Sequence, residues 1–295
     1  MIRTGAAALL LVLAAAGCAD TSEQTTTTAP AATTATASSA SSPSSPVNPE
    51  GRQAALAHVF DGDSLEVEVD GRIEEVRLIG INAPERDECF GDRSRAALIA
   101  LLSDRDLVLV SGSGGDTDHY GRLLRYVYVE GDNINGRTLA DGNAVTLQSE
   151  HGFNDAFVEI GDIAASAGYG MWAPNACGAA APAGATIAEV LSNPPGPDDE
   201  RLNSEYVTIA NEGRAGLDLT GWTLRDESSQ NRYVFDDTRI EPGDTVTVRT
   251  GCGEDGGNTV FWCADHSVWS NEGDTVILQD SHGNVVDRWM YTGDS

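Results

Sequence analysis

The sequence contains no lysine: all 18 of its basic side chains are arginine, against 46 acidic side chains, so the formal net charge is −28. The acidic side chains are spread over both halves of the chain rather than gathered in one tail. Sequence-independent DNA binding depends on a broad basic surface, so this composition argues against tight binding of that kind. A high-salt habitat and a GC-rich genome both account for an acidic, lysine-free chain, and both explanations stay open.

Long apolar runs are also absent. The most apolar segment is a short run near the start of the chain. Residues 6–16 follow a single cation, Arg3, and are too few to span a bilayer comfortably, which is typical of a signal peptide. Residues 15–18, Ala-Ala-Gly-Cys, resemble a prokaryotic lipoprotein cleavage box, with Ala where that family usually has Leu. The resemblance implies a signal peptide at 1–17 and a membrane anchor of several acyl chains on Cys18. An ordinary secretory signal is the alternative.

Beyond this segment the sequence predicts two folded regions that are soluble and extracytoplasmic, membrane-anchored through Cys18 or secreted if that residue is not lipidated. Residues 18–50 are rich in Thr, Ser, Ala and Pro and have almost no large apolar side chains, which predicts a disordered linker. A second break at 179–184 separates a first region, 51–178, from a second, 185–295.

Cysteines are few, and their number is odd. With Cys18 assigned to lipid, the remaining four allow three connectivities. The domain boundaries favour Cys89–Cys177 in the first region and Cys252–Cys263 in the second, and an oxidising compartment makes both bonds plausible. Metal binding by these cysteines is the weaker alternative, because no CxxC pair or histidine cluster accompanies them.

Apolar–polar alternation dominates the first region. The runs ALAHVF, SLEVEVDG and IEEVRLIGI predict a β-meander, and DRSRAALIALL has helical spacing with an apolar face formed by Leu98, Ile99, Leu101 and Leu102. Strands at DLVLVSG and RLLRYVYVEG follow, with helices at 134–141 and 153–167. Five strands with about three helices predict a mainly β fold, a small closed barrel of OB type.

Three short segments of the first region carry side chains suited to phosphodiester hydrolysis. This reaction needs a carboxylate to activate water, cations to stabilise charge on the phosphoryl oxygens, and usually a metal ion. The segments are 61–64 (DGDS), 77–85 (RLIGINAPE) and 118–122 (DHYGR). Taken singly, each has an ordinary structural explanation as a turn or a surface ion pair. Their order and spacing together are specific.

From Val59 to Trp172 the sequence resembles the thermonuclease (staphylococcal nuclease) family through these three segments. The resemblance implies a nuclease that acts on DNA or RNA and leaves 3′-phosphate products. It assigns water activation to Glu85 and phosphate binding to Arg77 and Arg122. Guanidinium suits that role because its planar fork offers two parallel donors to phosphate oxygens.

The same resemblance implies a calcium site. Asp63 matches the main calcium carboxylate, Asp61 acts through water, and Asn82 and the backbone carbonyl of Ala83 complete the set. The family usually has Asp where this chain has Asn82. Because calcium affinity follows the charge of the ligands, we expect weaker calcium binding rather than none.

Several positions near the three segments either differ from the family pattern or have no expected role in catalysis. Residues 146–150 (TLQSE) lack two tyrosines that pack against the nucleotide in the family's archetype, so we expect a different substrate affinity or base preference. His119 and His151 have no partner at metal-ligand spacing, and we expect both at the surface. The Tyr-Gly pair at 120–121 is expected to form the turn that aims Arg122.

The second region has no convincing long helix, and its seven short strand-like runs predict a β-sandwich. Trp222 and Trp269 are expected in its core. It resembles a lamin tail domain, an immunoglobulin-like sandwich, through segments at 203–207 (NSEYV), 217–224 (LDLTGWTL), 242–243 (PG) and 269–276 (WSNEGDTV). We find no catalytic constellation in it, which indicates a non-catalytic binding or anchoring domain whose partner is unknown.

Two functional hypotheses follow. The first is an extracytoplasmic, calcium-dependent nuclease, favoured by the presence of Arg77, Glu85 and Arg122 together. The second is a catalytically weak or inactive envelope protein that keeps the nuclease fold as a binding or structural module. Asn82, the missing tyrosines and the acidic composition favour the second.

Overall fold

The computed structural model describes residues 49–197, 201–228 and 230–293, all within one compact unit that spans residues 45–295. The predicted signal peptide, the predicted lipidation site at Cys18 and nearly all of the predicted linker lie outside the described residues. In the described part of the chain, no helix has both the length and the apolar composition needed to cross a membrane.

The first region contains the five strands predicted for it, together with shorter ones. In chain order its elements are β1 (Arg52–Val59), β2 (Ser64–Val69), β3 (Arg72–Leu78), β4 (Ile81–Asn82), α1 (Gly91–Leu102), β5 (Asp106–Ser111), β6 (Leu123–Val129), β7 (Asp132–Asn133), α2 (Ile134–Ala140), β8 (Val145–Thr146) and α3 (Asn154–Ser166). Strands β4, β7 and β8 have two residues each, too few for the alternation from which strands are predicted.

Five of these strands close into a barrel. They pair in the order β3-β2-β1-β5-β6, antiparallel throughout, and a parallel pairing of β3 with β6 joins the two edges. Alternate side chains of β2, namely Leu65, Val67 and Val69, are buried in the core. Each such burial contributes about 1.5–3 kcal/mol. Closure leaves no free sheet edge between β3 and β6, and it confirms the predicted OB-type barrel.

Helix α1 packs its predicted apolar face against the barrel core. Leu98 and Leu102 are buried, and Ile99 and Leu101 are half-buried at the edge of the same core. Because the helix is fixed in this way, it also fixes the end of the loop that precedes it. That loop contains Glu85.

The second region is a β-sandwich, as predicted. Its strands are β9 (Ala185–Leu191), β10 (Tyr206–Asn211), β11 (Leu217–Asp218), β12 (Thr223–Arg225), β13 (Arg232–Val234), β14 (Arg239–Ile240), β15 (Thr245–Arg249), β16 (Thr259–Phe261), β17 (Gly273–Gln279) and β18 (Val285–Thr292). Two four-stranded sheets, β16-β15-β10-β9 and β13-β12-β17-β18, share a core in which Trp222 and Trp269 are buried. Strands β11, β14 and β16, which have two, two and three residues, were not predicted.

The structure contains the two disulfide bonds that the domain boundaries favoured, Cys89–Cys177 and Cys252–Cys263. The first joins the loop after Glu85 to the end of the first region. The second closes the short segment that contains β16.

The two regions share an apolar cluster and several polar contacts. Met171 and Trp172, at the end of the first region, pack in one buried cluster with Ile277 of β17. Beside them Arg288 donates a hydrogen bond to Asp162 Oδ1 at 2.5 Å, and its guanidinium lies 5.7 Å from the centre of the Trp172 ring. The contact between the two regions therefore includes buried apolar side chains as well as an ion pair.

Candidate active site

The predicted metal and phosphate residues surround one buried carboxylate, that of Asp63. Its Oδ1 accepts a hydrogen bond from the Ser64 hydroxyl at 2.8 Å and lies 3.1 Å from Arg77 Nε. Its Oδ2 accepts from the backbone N–H of Ala83 at 2.6 Å. Asp61 accepts the backbone N–H of Asp63 at 2.9 Å, so it fixes the turn in which both aspartates lie.

Gly62, between the two aspartates, allows this turn to lie against α1. A Cβ atom at this position would come within 1.9 Å of Ser94 Oγ and 2.6 Å of the Ala83 Cβ. Ser94 has no room to move, because its buried hydroxyl donates to the backbone oxygen of Asn143 at 2.6 Å. Packing therefore requires glycine between the two aspartates.

The environment of Asp63 favours an additional cation. Burial raises the pKa of Asp63 to about 6 in spite of the opposing charge of Arg77, and the nearby charge of Asp61 adds to the rise. A positive ion beside this carboxyl would offset the cost of ionising it.

Arg77 is held by protein groups along most of its donor edge. Its Nη1 donates to the backbone oxygens of Leu78 and Ile81, at 2.7 Å each. Its Nη2 donates to Asn82 Oδ1 at 3.1 Å, and its Nε is the atom paired with Asp63. Three of the five N–H groups of the guanidinium therefore donate hydrogen bonds to the protein, and the Nε group lies in the ion pair with Asp63. Arg77 supplies a fixed positive charge and one remaining donor, rather than the two parallel donors expected from the sequence.

Arg122 approaches the same pair of side chains and keeps more of its donors for a ligand. Its Nη1 donates to Ser64 Oγ at 3.3 Å, and Ser64 in turn donates to Asp63. Its Nε donates to Asp118 at 2.7 Å, whereas Nη2 has no protein acceptor among the described residues. The structure thus brings Arg77 and Arg122 together around one buried carboxylate and its hydroxyl neighbour.

The turn 118–122 aims Arg122 through Asp118, a residue to which the sequence assigned no role of its own. One oxygen of Asp118 accepts the backbone N–H groups of Tyr120 and Arg122, and the other accepts Arg122 Nε. Gly121 has a φ of 87°, which favours glycine. Partial burial raises the pKa of Asp118, but the hydrogen bonds from Arg122 outweigh it and hold that pKa below its usual value.

Glu85 lies in the loop between β4 and α1, where it is exposed. A Cβ atom at Gly91 would lie 1.9 Å from the Glu85 backbone oxygen, so only glycine lets the loop pack against the helix start. Partial burial raises the pKa of Glu85, and the charges of Asp63 and Glu88 raise it further, whereas Arg77 lowers it. The charges of Asp63 and Arg77 therefore act on this carboxyl, although among the described residues it forms no hydrogen bond or ion pair with Arg77 or Arg122.

The oxygen atoms around Asp63 fit a calcium ion in kind. Calcium takes carboxylate, amide and backbone carbonyl oxygens, and Asp63, Asn82 and Ala83 offer one of each. Within the described ranges, however, no three His, Cys, Asp or Glu side chains converge as a metal site. The low charge of this donor set fits a weakly held divalent cation.

The two arginines open onto a cleft of about 930 Å³, a size typical of ligand-binding sites. His119 and Tyr120 line it with rings 3.7 Å apart, and Tyr120 is 70% exposed. The segment 146–150 also contributes to the lining, but without an aromatic side chain. The exposed aromatic surface of the cleft therefore comes from residues 119 and 120.

Part of the cleft wall comes from the second region. Ser228 and Gln230 line the same cleft as Arg77. The neighbouring Glu227 uses its backbone oxygen to accept a hydrogen bond from Asn82 Nδ2 at 3.0 Å. This contact joins residues 145 positions apart in the chain. Neither region's sequence pattern indicates it.

His151 is not the surface residue that the sequence predicted. Its half-buried ring packs near Phe157, and its Nδ1 is hydrogen bonded to the Tyr126 hydroxyl at 2.8 Å and to the backbone N–H of Phe153 at 3.3 Å. Its Nε2 is buried with no partner in the described part of the chain. Burial lowers the pKa of this histidine. His119, in contrast, is exposed as expected.

We expect His151 to stabilise the folded chain above about pH 6.5 and to lose this contribution as the pH falls, so that the free energy of unfolding of wild type and of His151→Gln should depend differently on pH. Because the pKa of His151 is lower in the folded chain than its ordinary 6.5, the unfolded chain takes up the proton first. The stabilisation is therefore complete above that pH and is lost as acid is added. Denaturant unfolding between pH 5 and 8 measures the slope, with exposed His119→Gln as control. Identical pH slopes for wild type and His151→Gln would contradict this.

Two family models match the chain in succession. Residues 75–174 match the family described as Staphylococcal nuclease homologue, and residues 178–293 match the family described as Lamin Tail Domain.

Curated relatives each match part of the chain. Protein ParB of Escherichia coli is 43% identical over 74 residues, which are 25% of this chain and 40% of ParB. Micrococcal nuclease of Shigella flexneri is 37% identical over 94 residues, 32% of this chain and 52% of the nuclease. An uncharacterized endonuclease of Haemophilus influenzae is 28% identical over 127 residues, 43% of this chain and 69% of that protein.

The chain spans about half or less of the length of ParB and of the Shigella nuclease. The likeness is thus one of domains rather than of whole proteins. Together with the closed barrel and the β-sandwich, the matches identify a staphylococcal nuclease-like domain followed by a lamin tail domain.

Proposed function

We propose that this chain is a calcium-dependent nuclease that hydrolyses phosphodiester bonds of DNA or RNA outside the cytoplasm. The observation that carries the proposal is the convergence of Arg77 and Arg122 on the Asp63–Ser64 pair, with Glu85 within electrostatic range. The nuclease relatives support the same reaction class.

In this proposal Arg122 binds the scissile phosphate through the donors that the protein leaves free, and Arg77 adds a fixed positive charge beside it. Glu85 accepts a proton from the attacking water. As the bond between phosphorus and the 5′ oxygen breaks, both guanidinium groups stabilise the negative charge that develops on the phosphoryl oxygens. The product then keeps a 3′-phosphate.

Calcium would be held by Asp63, Asn82 and the Ala83 carbonyl, with Asp61 acting through water. When bound, the ion supplies positive charge that polarises a phosphoryl oxygen. Asn82 leaves this set one negative charge short of the usual family set, so millimolar rather than micromolar calcium is expected to be needed, on the order of the weaker calcium sites.

The second candidate function is a binding module with the nuclease fold and little or no catalysis. The engagement of most Arg77 donors by the protein favours it, as does Asn82 in place of Asp. The acidic surface also repels a polyanionic substrate.

A cleavage assay separates the two functions. Purified protein is incubated with single-stranded DNA or RNA over a range of calcium and salt concentrations, with chelator and Glu85→Ala as controls, and the product ends are analysed. We expect calcium-dependent release of 3′-phosphate products that both controls abolish. If no acid-soluble nucleotides appear under any condition, the nuclease proposal fails.

We also propose that residues 1–17 are a lipoprotein signal peptide and that Cys18 anchors the nuclease outside the cytoplasm. The linker 18–50 would then carry the domains 51–178 and 185–295 away from the membrane surface. The lipoprotein-like sequence before Cys18 supports this arrangement. Cys18→Ala should move the protein from the membrane fraction to the soluble fraction of expressing cells. Unchanged fractionation would contradict lipidation at this residue.

A further inference from the structure

The turn between β12 and β13 of the lamin tail domain reaches into the nuclease domain through Glu227, which is buried. Its backbone oxygen accepts from Asn82 Nδ2 at 3.0 Å. Its carboxylate accepts from the backbone N–H of Gln148, and also from Gln148 Nε2 at 3.3 Å. Asn82 is on β4 and Gln148 follows β8, and these two strands pair with each other. Glu227 thus contacts both strands of the short β4–β8 pair beside the candidate active site.

The amide of Asn82 is chemically matched to its two neighbours. Its Oδ1 accepts from Arg77 Nη2 at 3.1 Å, and its Nδ2 donates to the Glu227 oxygen. A guanidinium can only donate and a backbone carbonyl can only accept, so a side-chain amide, which has an acceptor oxygen and a donor NH2 group, satisfies both. Aspartate would satisfy only Arg77 and would place a second acceptor against the carbonyl. This accounts for asparagine at the position where the resembled family usually has aspartate.

The turn is fixed within the lamin tail domain itself. Asp226 accepts from the backbone N–H and the hydroxyl of Ser228 and from Asn231 Nδ2. The backbone N–H of Glu227 donates to Asp274 Oδ1 at 3.3 Å. Because these bonds do not involve the nuclease domain, the turn presents its Glu227 carbonyl in a set position.

We propose that Glu227 is a positioning residue of the nuclease site, acting through Asn82 on Arg77, so that the lamin tail domain completes that site. The Glu227 carboxylate accepts from Gln148, which follows β8. Strand β8 pairs with β4, which carries the Asn82 amide that accepts from Arg77. The contact with Gln148, rather than the backbone carbonyl, is therefore the link that a substitution of Glu227 removes. Ser228 and Gln230 beside it line the same cleft as Arg77. The inference rests on the proposed nuclease function, because positioning matters only if Arg77 acts on a phosphate.

The test compares Glu227→Ala with Glu227→Gln in the full-length protein. We expect Glu227→Ala to lower kcat by about 10–100-fold, the scale on which small misplacements act, and to change KM by less than about threefold. Glu227→Gln should restore most of kcat, because its amide oxygen still accepts from Gln148 N–H. Glu241→Ala, an exposed glutamate of the same domain that is paired with Arg239, is the control and should keep wild-type kinetics.

A double-mutant comparison separates positioning from a loss of stability. If Glu227 acts through Asn82, Glu227→Ala should cost no further activity in a protein that already carries Asn82→Ala. Amide hydrogen exchange should also rise in Glu227→Ala at residues 81–82 and 145–148. If Glu227 only stabilises the fold, Glu227→Ala should instead lower activity by the same factor in the wild-type protein and in the Asn82→Ala protein.

Two results overturn the inference while leaving the nuclease proposal intact. One is a Glu227→Ala protein with the kcat of wild type. The other is a Glu227→Ala substitution that lowers activity by the same factor in the wild-type protein and in Asn82→Ala. If the wild-type protein cleaves no nucleic acid, the proposed function fails instead. The exchange measurement then still reports whether Glu227 holds the strands that carry Asn82 and Gln148.

Discussion

Arg122→Ala should lower kcat for phosphodiester cleavage by about 100–1,000-fold, the usual cost of losing one transition-state donor, while the protein stays folded. The Arg122 side chain is 27% exposed at the cleft and leaves Nη2 without a protein acceptor among the described residues. Its loss therefore removes ligand-binding donors without opening the core. Arg122→Lys should recover only part of the rate, because an ammonium lacks the planar fork.

Steady-state kinetics on a defined oligonucleotide measures this effect, and thermal unfolding confirms that the variants are folded. Arg105→Ala is the matched control, since Arg105 is an exposed arginine of the same domain paired with Glu130. An Arg122→Ala protein with activity within about threefold of wild type would place the phosphate site elsewhere.

Substitution of Arg77 does not separate an effect on catalysis from an effect on stability. The Arg77 side chain is only 13% exposed and its partner Asp63 only 6%. Removing it would leave a buried carboxylate without its cation, which typically costs about 3–5 kcal/mol of stability. A loss of activity in Arg77→Ala would thus combine catalysis with unfolding.

Replacing both Cys89 and Cys177 by serine should lower the free energy of unfolding by about 2–5 kcal/mol. The bond joins residues 88 positions apart, so its loss returns a large amount of conformational freedom to the unfolded chain. It also frees the loop that carries Glu85 from the junction with the lamin tail domain, where the Cys177 N–H donates to Asn284 Oδ1 at 2.7 Å. Activity at moderate temperature should therefore fall along with stability.

The matched control is the double serine variant at Cys252 and Cys263. That bond joins residues only 11 positions apart. The relation between loop length and stabilisation therefore predicts that its removal lowers the free energy of unfolding by roughly 1–2 kcal/mol less than removal of the first bond does. Denaturant unfolding under non-reducing conditions gives both values. An equal or larger loss for the Cys252 and Cys263 variant would contradict this account of the first bond.

Alternation of apolar and polar residues predicted much of the fold, because local patterning defines a strand that is buried on one face. Leu65, Val67 and Val69 are an example, and the barrel that they fill was expected from such runs. Two-residue strands such as β4 and β8 lie below the length at which alternation exists. They could not be predicted, although they carry Asn82 and precede Gln148.

The candidate site was predictable in its residue types but not in its hydrogen bonding. Spacing and resemblance pointed to Arg77 and Arg122 alike, yet the structure distinguishes them, because backbone oxygens of Leu78 and Ile81 take up donors of Arg77. Backbone acceptors leave no signal in a sequence. The bond from Asn82 to Glu227 is likewise invisible, since it depends on how two separately patterned domains pack.

A crystal structure of the protein with calcium and a short phosphorothioate oligonucleotide that resists cleavage tests the proposed site most directly. We expect one phosphate within hydrogen-bonding distance of the Arg122 Nη2 atom, beside Arg77, with the Glu85 carboxylate facing its phosphorus atom. A strand bound on another surface, with no phosphate near these side chains, would contradict it.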